Sequence, residues 1–174
     1  TAILTKLPVK VKIVPPVKKW IGNELRSHQI KPLNVEDLLG RDPIELNNPI
    51  LLQEFNNNVV LITGAAGSIG SEIARQVASF KYKHIILIDQ AESALYNLQQ
   101  YFHNKNIEKV TSIVADVRNY NRMDLIFKQY QPTIVYHAAA YKHVPFMEEN
   151  PYEAVCVNVL GTKHITELSL KYNV

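Results

Sequence analysis

Residues 59–70 read Val-Val-Leu-Ile-Thr-Gly-Ala-Ala-Gly-Ser-Ile-Gly, an apolar run entering a turn punctuated by three glycines. Val59, Val60, Leu61 and Ile62 form a strand apolar on both faces, which belongs in a parallel sheet covered by helices on each side. Residues 71–78 continue with the periodicity of an amphipathic helix. Glycines at this spacing let backbone amides approach a pyrophosphate while the following helix points its positive end at it. Gly64 then permits the tight turn, Gly67 leaves room for the phosphates, and Gly70 lets the helix pack closely on the strand. Asp89 ends the next apolar run roughly twenty residues on, where a ribose-binding carboxylate belongs. A glycine loop alone occurs in many contexts; it is the order strand, loop, helix, strand, carboxylate that points to a dinucleotide.

From Val59 onward strands and helices alternate. A helix over 68–80 leads to a strand at His84–Asp89, and a helix over 91–103 places Ala94, Leu95, Leu98 and Tyr101 on one face. A strand at 110–115, a helix at Tyr120–Tyr130 and a strand at 133–137 follow. The segment 151–172 is helical by periodicity, with Ala154, Val155, Asn158, Val159, Thr162, Ile165 and Leu168 on a stripe. Right-handed crossovers put the four strands in the order 3-2-1-4. The expected fold class is α/β, a Rossmann-like doubly wound parallel sheet, incomplete at its C-terminal side because Asn173-Val174 falls where a fifth strand would begin. Residues 1–57 hold six of the nine prolines (Pro8, Pro15, Pro16, Pro32, Pro43, Pro49) and only short periodic runs, and read as an irregular arm lying across the domain that follows. Within it 9–14 alternates as a strand would, 35–40 has the pattern of one helical turn, and Asn56-Asn57-Asn58 reads as a turn.

A chain of 174 residues can hold one domain with a real core. Its charge of +3 comes largely from the first third, where Lys6, Lys10, Lys12, Lys18, Lys19, Arg26 and Lys31 outnumber the acids. Nucleic-acid binding would want stacking aromatics among them, and only Trp20 is near, so a solvated surface is the favoured reading and an anionic membrane the second. There is no apolar run of transmembrane length and no secretory signal. The single cysteine, Cys156, excludes an intrachain disulfide and suits packing in a reducing compartment. His28, His84, His103 and His164 lack metal-ligand spacing, so no metal site is expected.

Three further groups fall at the carboxyl edge of the expected sheet, where open α/β folds bind ligands. Asp116-Val117-Arg118-Asn119 offers a carboxylate for an adenine amine and an apolar flank for the ring; a helix cap is the alternative for Asp116. His137-Ala138-Ala139-Ala140 lets backbone approach a ribose and phosphates, or serves close helix packing. Tyr141-Lys142-His143-Val144-Pro145 offers Lys142 and His143 to a phosphate or sugar hydroxyl, or simply to solvent.

Together, Thr63-Gly64-Ala65-Ala66-Gly67-Ser68-Ile69-Gly70-Ser71-Glu72, Asp116-Val117-Arg118-Asn119 and the segment 137–145 resemble the extended short-chain dehydrogenase/reductases. The likeness is to their polysaccharide-biosynthesis branch, the nucleoside-diphosphate-sugar 4,6-dehydratases. Met147-Glu148, Asn150-Pro151, Glu153-Ala154 and 158–162 extend it, as does 36–43. The resemblance implies that residues 58–174 are the front part of an NAD(P)-binding domain and residues 1–57 an arm or linker from a preceding domain. It implies a cycle in which hydride leaves the sugar's C4, water is lost across C5 and C6, and hydride returns to C6. It further implies that Thr63, Gly64, Ala66, Gly67, Ser68, Ile69 and Gly70 surround the pyrophosphate, and that Asp89 and Gln90 meet the adenosine ribose. Asp116 and Val117 would hold the adenine, with Ala138, Ala139 and Ala140 lining the cofactor and Asn158 steadying the loop after the fourth strand. Tyr141, Lys142 and His143 would face the substrate side. The family's catalytic Ser/Thr-Asp-Lys segment and the Tyr or Met after it are expected beyond Val174, leaving no catalytic residue in this chain. Asp89, followed by Gln90-Ala91-Glu92, favours NAD over NADP, since a carboxylate repels a 2′-phosphate. The expected partner is a nucleoside-diphosphate sugar, with no nucleic acid, in a cytoplasmic homo-oligomer whose parent is anchored to the inner membrane through segments before Thr1. A UDP-sugar 4-epimerase and a non-catalytic dinucleotide-binding regulator are the alternatives.

Overall fold

The computed structural model describes residues 12–14, 31–32 and 54–174. The chain divides into two compact units, Thr1–Asn47 and Asn48–Val174. In the first, β1 (Lys12–Ile13) pairs antiparallel with β2 (Lys31–Pro32). β1 falls inside the strand expected at 9–14; the helical turn expected at 35–40 lies outside the described residues. The division precedes the boundary expected after residue 57, and Phe55 supplies a physical reason. Its side chain is buried and stacks on Phe80 with ring centroids 5.1 Å apart, so the segment entering the first long strand already belongs to the second unit's core. The turn at 56–58 forms as expected, with Asn57 at a φ of 61°.

The second unit is built on β3 (Val59–Thr63), β4 (His84–Asp89), β5 (Val110–Val114) and β6 (Ile134–His137). All neighbours are parallel and the order is β5-β4-β3-β6, the expected 3-2-1-4 with the sheet left open. Every residue of β3 is buried, and the strand's two faces feed two cores. Val59 and Leu61, with Ile86 and Ile88 of β4, pack on one side against Met123, Ile126, Phe127, Ile165 and Leu168. Val60 and Ile62, with Ile85 and Leu87, pack on the other against Ala74, Val77, Leu95, Leu98 and Phe102. The period of two along each strand therefore sends alternate side chains into opposite layers, which is why these strands read as unbroken apolar runs.

The layers are α1 (Ser68–Val77) and α2 (Glu92–Asn104) on one face, α3 (Tyr120–Tyr130) and α6 (Thr162–Lys171) on the other. Between β6 and α6 lie α4 (Val144–Glu149), α5 (Pro151–Ala154) and a π-helical stretch, Val155–Gly161. Two expected stripes shift. On α2 the inward residues are Leu95, Leu98 and Phe102, while Ala94 and Tyr101 are exposed. After Pro151 the buried residues are Val157, Gly161, Ile165 and Leu168, and Val155 and Val159 face outward. The wider π turn takes more residues per turn than the spacing assumed for an α-helix, and so rotates the buried face. Cys156 is half-buried rather than enclosed. Among the described residues no helix is long and apolar enough to cross a membrane.

Candidate functional site

The carboxyl ends of all four parallel strands converge on one cleft of about 140 Å³. The loop leaving β3 forms its floor. Gly64 has a φ of +62°, and a Cβ there would stand 2.6 Å from the backbone of Ala138 and Ala139 at the end of β6. Both facts require glycine: the left-handed conformation disfavours a side chain, and the neighbouring strand leaves no space for one. A Cβ on Gly70 would lie 2.1 Å from the Gly64 carbonyl oxygen, so this glycine lets α1 fold down onto its own loop. Gly67 differs. It is exposed, its φ is −71°, and a Cβ would meet only the Gly64 oxygen at 3.2 Å. Nothing in the fold demands glycine there as strongly; the space it opens faces the cleft.

No side chain caps α1, and no acid lies in its first turn. Its leading amides and the positive end of its dipole are thus left for a ligand, the electrostatic setting of an anion site. Beside it stands Asp89, whose Oδ2 accepts from the Ala66 amide and Oδ1 from the Ala91 amide, each at 2.9 Å. The carboxylate therefore ties the glycine loop to the end of β4 as well as lining the cleft.

Asp116 lines the cleft beyond β5 and is gripped by Arg118. The Arg118 amide donates to Oδ1 at 2.9 Å, Nε donates to Oδ2 at 2.8 Å, and Nη2 stands 2.6 Å from the same Oδ2. The remaining arm, Nη1, donates to Glu153 Oε2 at 2.7 Å. Burial pushes the Asp116 carboxyl up, but the hydrogen bonds and charge of Arg118 outweigh it and hold the group below its ordinary range. The hydrogen bond to Asp116 likewise raises Arg118. The helix cap considered for Asp116 belongs instead to Asn119, whose Oδ1 accepts from the Arg122 amide at 3.0 Å. Val117 is buried, within reach of Gly161: a Cβ on that glycine would lie 2.7 Å from Val117 Cγ2.

Ala138, Ala139 and Ala140 form the opposite wall. Next to them Tyr141 is clamped by Asn158, which accepts from the Tyr141 amide at 2.8 Å and donates to its carbonyl at 2.9 Å. Gln90 Nε2 donates to the Tyr141 hydroxyl at 3.3 Å, joining the ends of β4 and β6. Thr63, at 0% exposure, points away from the cleft and contacts His137 Nδ1 at 2.6 Å. His137 Nε2 lies 3.0 Å from Thr162 Oγ1, which itself donates to the Asn158 carbonyl. With that hydroxyl proton spent on a carbonyl, Nε2 must be the donor to Thr162 and Nδ1 the acceptor from Thr63. Burial lowers the pKa of the imidazole, which favours this neutral tautomer.

Of the residues expected at the site, Gly64, Gly67, Asp89, Gln90, Asp116, Val117, Ala138, Ala139, Ala140 and Tyr141 share the cleft. Ala66, Ser68, Ile69 and Gly70 belong to the loop and first turn at its floor, while Thr63 and Asn158 buttress it from behind. Lys142 and His143 lie elsewhere, in a second cavity of about 350 Å³ with Tyr141, Phe146, Met147, Asn150 and Glu153. Sequence reasoning missed Ile88, Ala115 and Val157 as cleft-lining residues; being apolar, they carry no polar group that would mark a ligand contact. It also missed the pairing of Arg118 with Glu153, 35 positions apart. Among the described residues no group of His, Cys, Asp or Glu is arranged to hold a metal.

An open parallel sheet of this order, with a glycine loop and helix N-terminus at its carboxyl edge, defines a Rossmann-type α/β domain. Residues 60–174 match the model of the family described as polysaccharide biosynthesis protein, and the chain belongs to that family, within the extended short-chain dehydrogenase/reductases. It is 44% identical over 157 residues to the capsular polysaccharide biosynthesis protein CapD of Staphylococcus aureus, covering 88% of this chain and 26% of that protein. The chain thus spans about a quarter of that relative's length. An inverting UDP-N-acetylglucosamine 4,6-dehydratase of Campylobacter jejuni (serotype O:23/36) is 31% identical, over 65% of this chain and 33% of its own. Among solved structures, Pen from Bacillus thuringiensis has a TM-score of 0.62 at 34% identity, covering 69% of this chain and 36% of that one. The Thermus thermophilus UDP-glucose 4-epimerase complex with NAD has a TM-score of 0.54 at 27% identity, covering 67% and 35%.

Proposed function

We propose that the carboxyl-edge cleft binds NAD, and that the chain is the cofactor-binding part of a nucleotide-sugar 4,6-dehydratase serving surface-polysaccharide synthesis. The observation that carries this reading is the uncapped N-terminus of α1 behind Gly67, the one glycine of the loop whose smallness answers to the cleft more than to the fold. The residues fit the group. Amides of Ser68, Ile69 and Gly70 donate to the pyrophosphate, and Gly67 admits it. Asp89 keeps acceptor capacity for a ribose hydroxyl while holding the loop. Asp116 and Val117 receive the adenine, and the backbone of Ala138 to Ala140 passes close to the rest of the cofactor. NAD supplies the hydride acceptor and donor that C4 oxidation and C6 reduction of a sugar require.

Two features favour NAD over NADP. The Asp89 carboxylate repels a 2′-phosphate, and Arg118, the cation near the adenosine end, is already paired with Asp116 and Glu153. The dehydratase reading follows the similarity to the Campylobacter dehydratase, together with membership of a polysaccharide-biosynthesis family. The likeness to the Thermus 4-epimerase supports a UDP-sugar 4-epimerase as second reading. A cytoplasmic homo-oligomer acting on a nucleoside-diphosphate sugar, with the parent anchored at the inner membrane, completes the proposal. In it Tyr141, Lys142 and His143 stand on the substrate side.

Calorimetric titration of the purified chain tests the cofactor assignment. Saturable NAD binding, at least about tenfold tighter than NADP, is expected from the unpaired 2′-phosphate charge against Asp89. NADP binding as tightly or more so would contradict it. Release of a 4-keto-6-deoxy product by the parent protein supports the dehydratase, and interconversion at C4 without loss of water supports the epimerase.

A further inference from the structure

The most organised charged group in the second unit is the row Asp116, Arg118, Glu153, which runs from the cleft outward. Asp116 faces the cleft, and Glu153 lines the separate second cavity with Lys142 and His143. Arg118 joins them, with contacts of 2.6 to 2.9 Å to Asp116 and 2.7 Å to Glu153. The three side chains remain 28%, 33% and 43% exposed, so the row is not a buried core element. It costs an arginine and two acids their rotamer freedom at a place where the fold's own needs are met otherwise: Asn119 caps α3, and the Val117 carbonyl accepts from His164 Nδ1 at 3.1 Å.

The contacts have a chemical consequence. A carboxylate offers about four acceptor directions, two on each oxygen. Nε of Arg118 donates to Oδ2, Nη2 crowds that same oxygen at 2.6 Å as an ion-pair contact, and the Arg118 amide takes one direction on Oδ1. One direction on Oδ1 is left. The carboxylate is held ionised in a single orientation with one acceptor site to offer, which matches a partner presenting one N–H, such as the exocyclic amine of adenine.

We propose that Arg118, braced by Glu153, is a positioning residue that fixes Asp116 as a single-site reader of adenine, so that base discrimination depends on a side chain outside the cleft. This rests on the reading of the cleft as a dinucleotide site. Glu153 does not line the cleft; it acts through Arg118 alone. Replacing it leaves the Asp116 contacts in place but frees the guanidinium to swing, whereas removing Arg118 frees the carboxylate itself.

The test compares NAD with its deamino analogue, in which hypoxanthine presents a carbonyl where adenine has the amine. Calorimetry on the 174-residue chain measures both affinities for the unaltered protein, Glu153→Gln and Arg118→Ala, with melting temperatures recorded alongside. The unaltered chain should prefer NAD by at least about tenfold, since an amine donor is exchanged for a carbonyl facing a carboxylate. Glu153→Gln should shrink that ratio by about two- to fivefold, the scale of a partly exposed ion pair, and Arg118→Ala should bring it near unity. A loss of general packing would weaken both ligands together and leave the ratio unchanged, and that result overturns the proposal. Equal affinity for the two ligands in the unaltered chain would remove Asp116 as the reader and overturn it too. Failure of the unaltered chain to bind NAD at all would instead overturn the cofactor assignment on which it rests. Should Arg118→Ala not fold, the ratio in Glu153→Gln decides.

Discussion

Gly67 and Gly70 sit three residues apart, one ending the loop and one in the first turn of α1, yet the structure gives them different reasons to be glycine. Gly70 answers to the fold, because a methyl group there would collide with the Gly64 carbonyl at 2.1 Å. At Gly67 a Cβ would press on the Gly64 oxygen at 3.2 Å, a tight contact that a shift of a few tenths of an ångström relieves, on an extended backbone that any residue adopts. Gly70→Ala should therefore destabilise by about 3 kcal/mol, an overpacking cost at the upper end of the usual range, lowering Tm by roughly 6–12 °C. Gly67→Val should stay within about 1 kcal/mol of the parent while losing NAD binding. Thermal melts and calorimetry on the two variants separate the roles, and a Gly67→Val chain that binds normally would contradict the phosphate site. Asn158→Ala makes a second comparison. It strips both partners from the half-buried Tyr141 backbone and should cost about 1–3 kcal/mol, the penalty for unpaired backbone groups. A chemical melt showing no loss would mean that water replaces the amide.

The elements supply their own chemistry where β6 meets α6. His137 joins buried Thr63 of β3 to Thr162 of α6, and its Nδ1 must remain an acceptor for the Thr63 hydroxyl. Burial lowers its pKa, so between the folded value and the ordinary 6.5 the unfolded chain holds a proton that the folded chain refuses. Stability is then fully present above about pH 6.5 and is lost as pH falls through the folded pKa. His84, also lowered by burial, adds to the same trend. Melts from pH 8 to pH 5 should show Tm falling below about pH 6.5, with a shallower fall in His137→Gln; an identical slope would assign the effect to other groups. At this scale the sequence was most readable in the β-strands, where alternate residues feed two cores and the apolar runs announce both. It was least readable after Pro151, because the π-helical turn at Val155–Gly161 breaks the period on which a helical stripe depends. Phe102 in the regular helix α2 was hidden for a different reason: it and Tyr101 are both aromatic, and packing against the sheet decides which one turns inward.

Across the whole molecule, the division into Thr1–Asn47 and Asn48–Val174 leaves every cleft-lining residue in the second unit. The legible part of the site was the part written locally: the glycine loop, Asp89 closing its strand, and the small residues after His137. The arrangement that fixes Asp116 was not legible, because Arg118 and Glu153 meet only once the crossover through α5 has folded back. Lys142 and His143, expected on the substrate side, follow the alanine wall in sequence but line a second cavity, which shares Tyr141 with the cleft. The chain belongs to the polysaccharide biosynthesis protein family, and its cleft occupies the ligand-binding edge of an open parallel sheet. The most direct test is an NAD titration followed by backbone amide resonances. Shifts concentrated at Gly67 to Gly70, with a second set at Asp116 and Val117, are the predicted result; shifts confined to any other surface, or none at saturating ligand, would contradict the account.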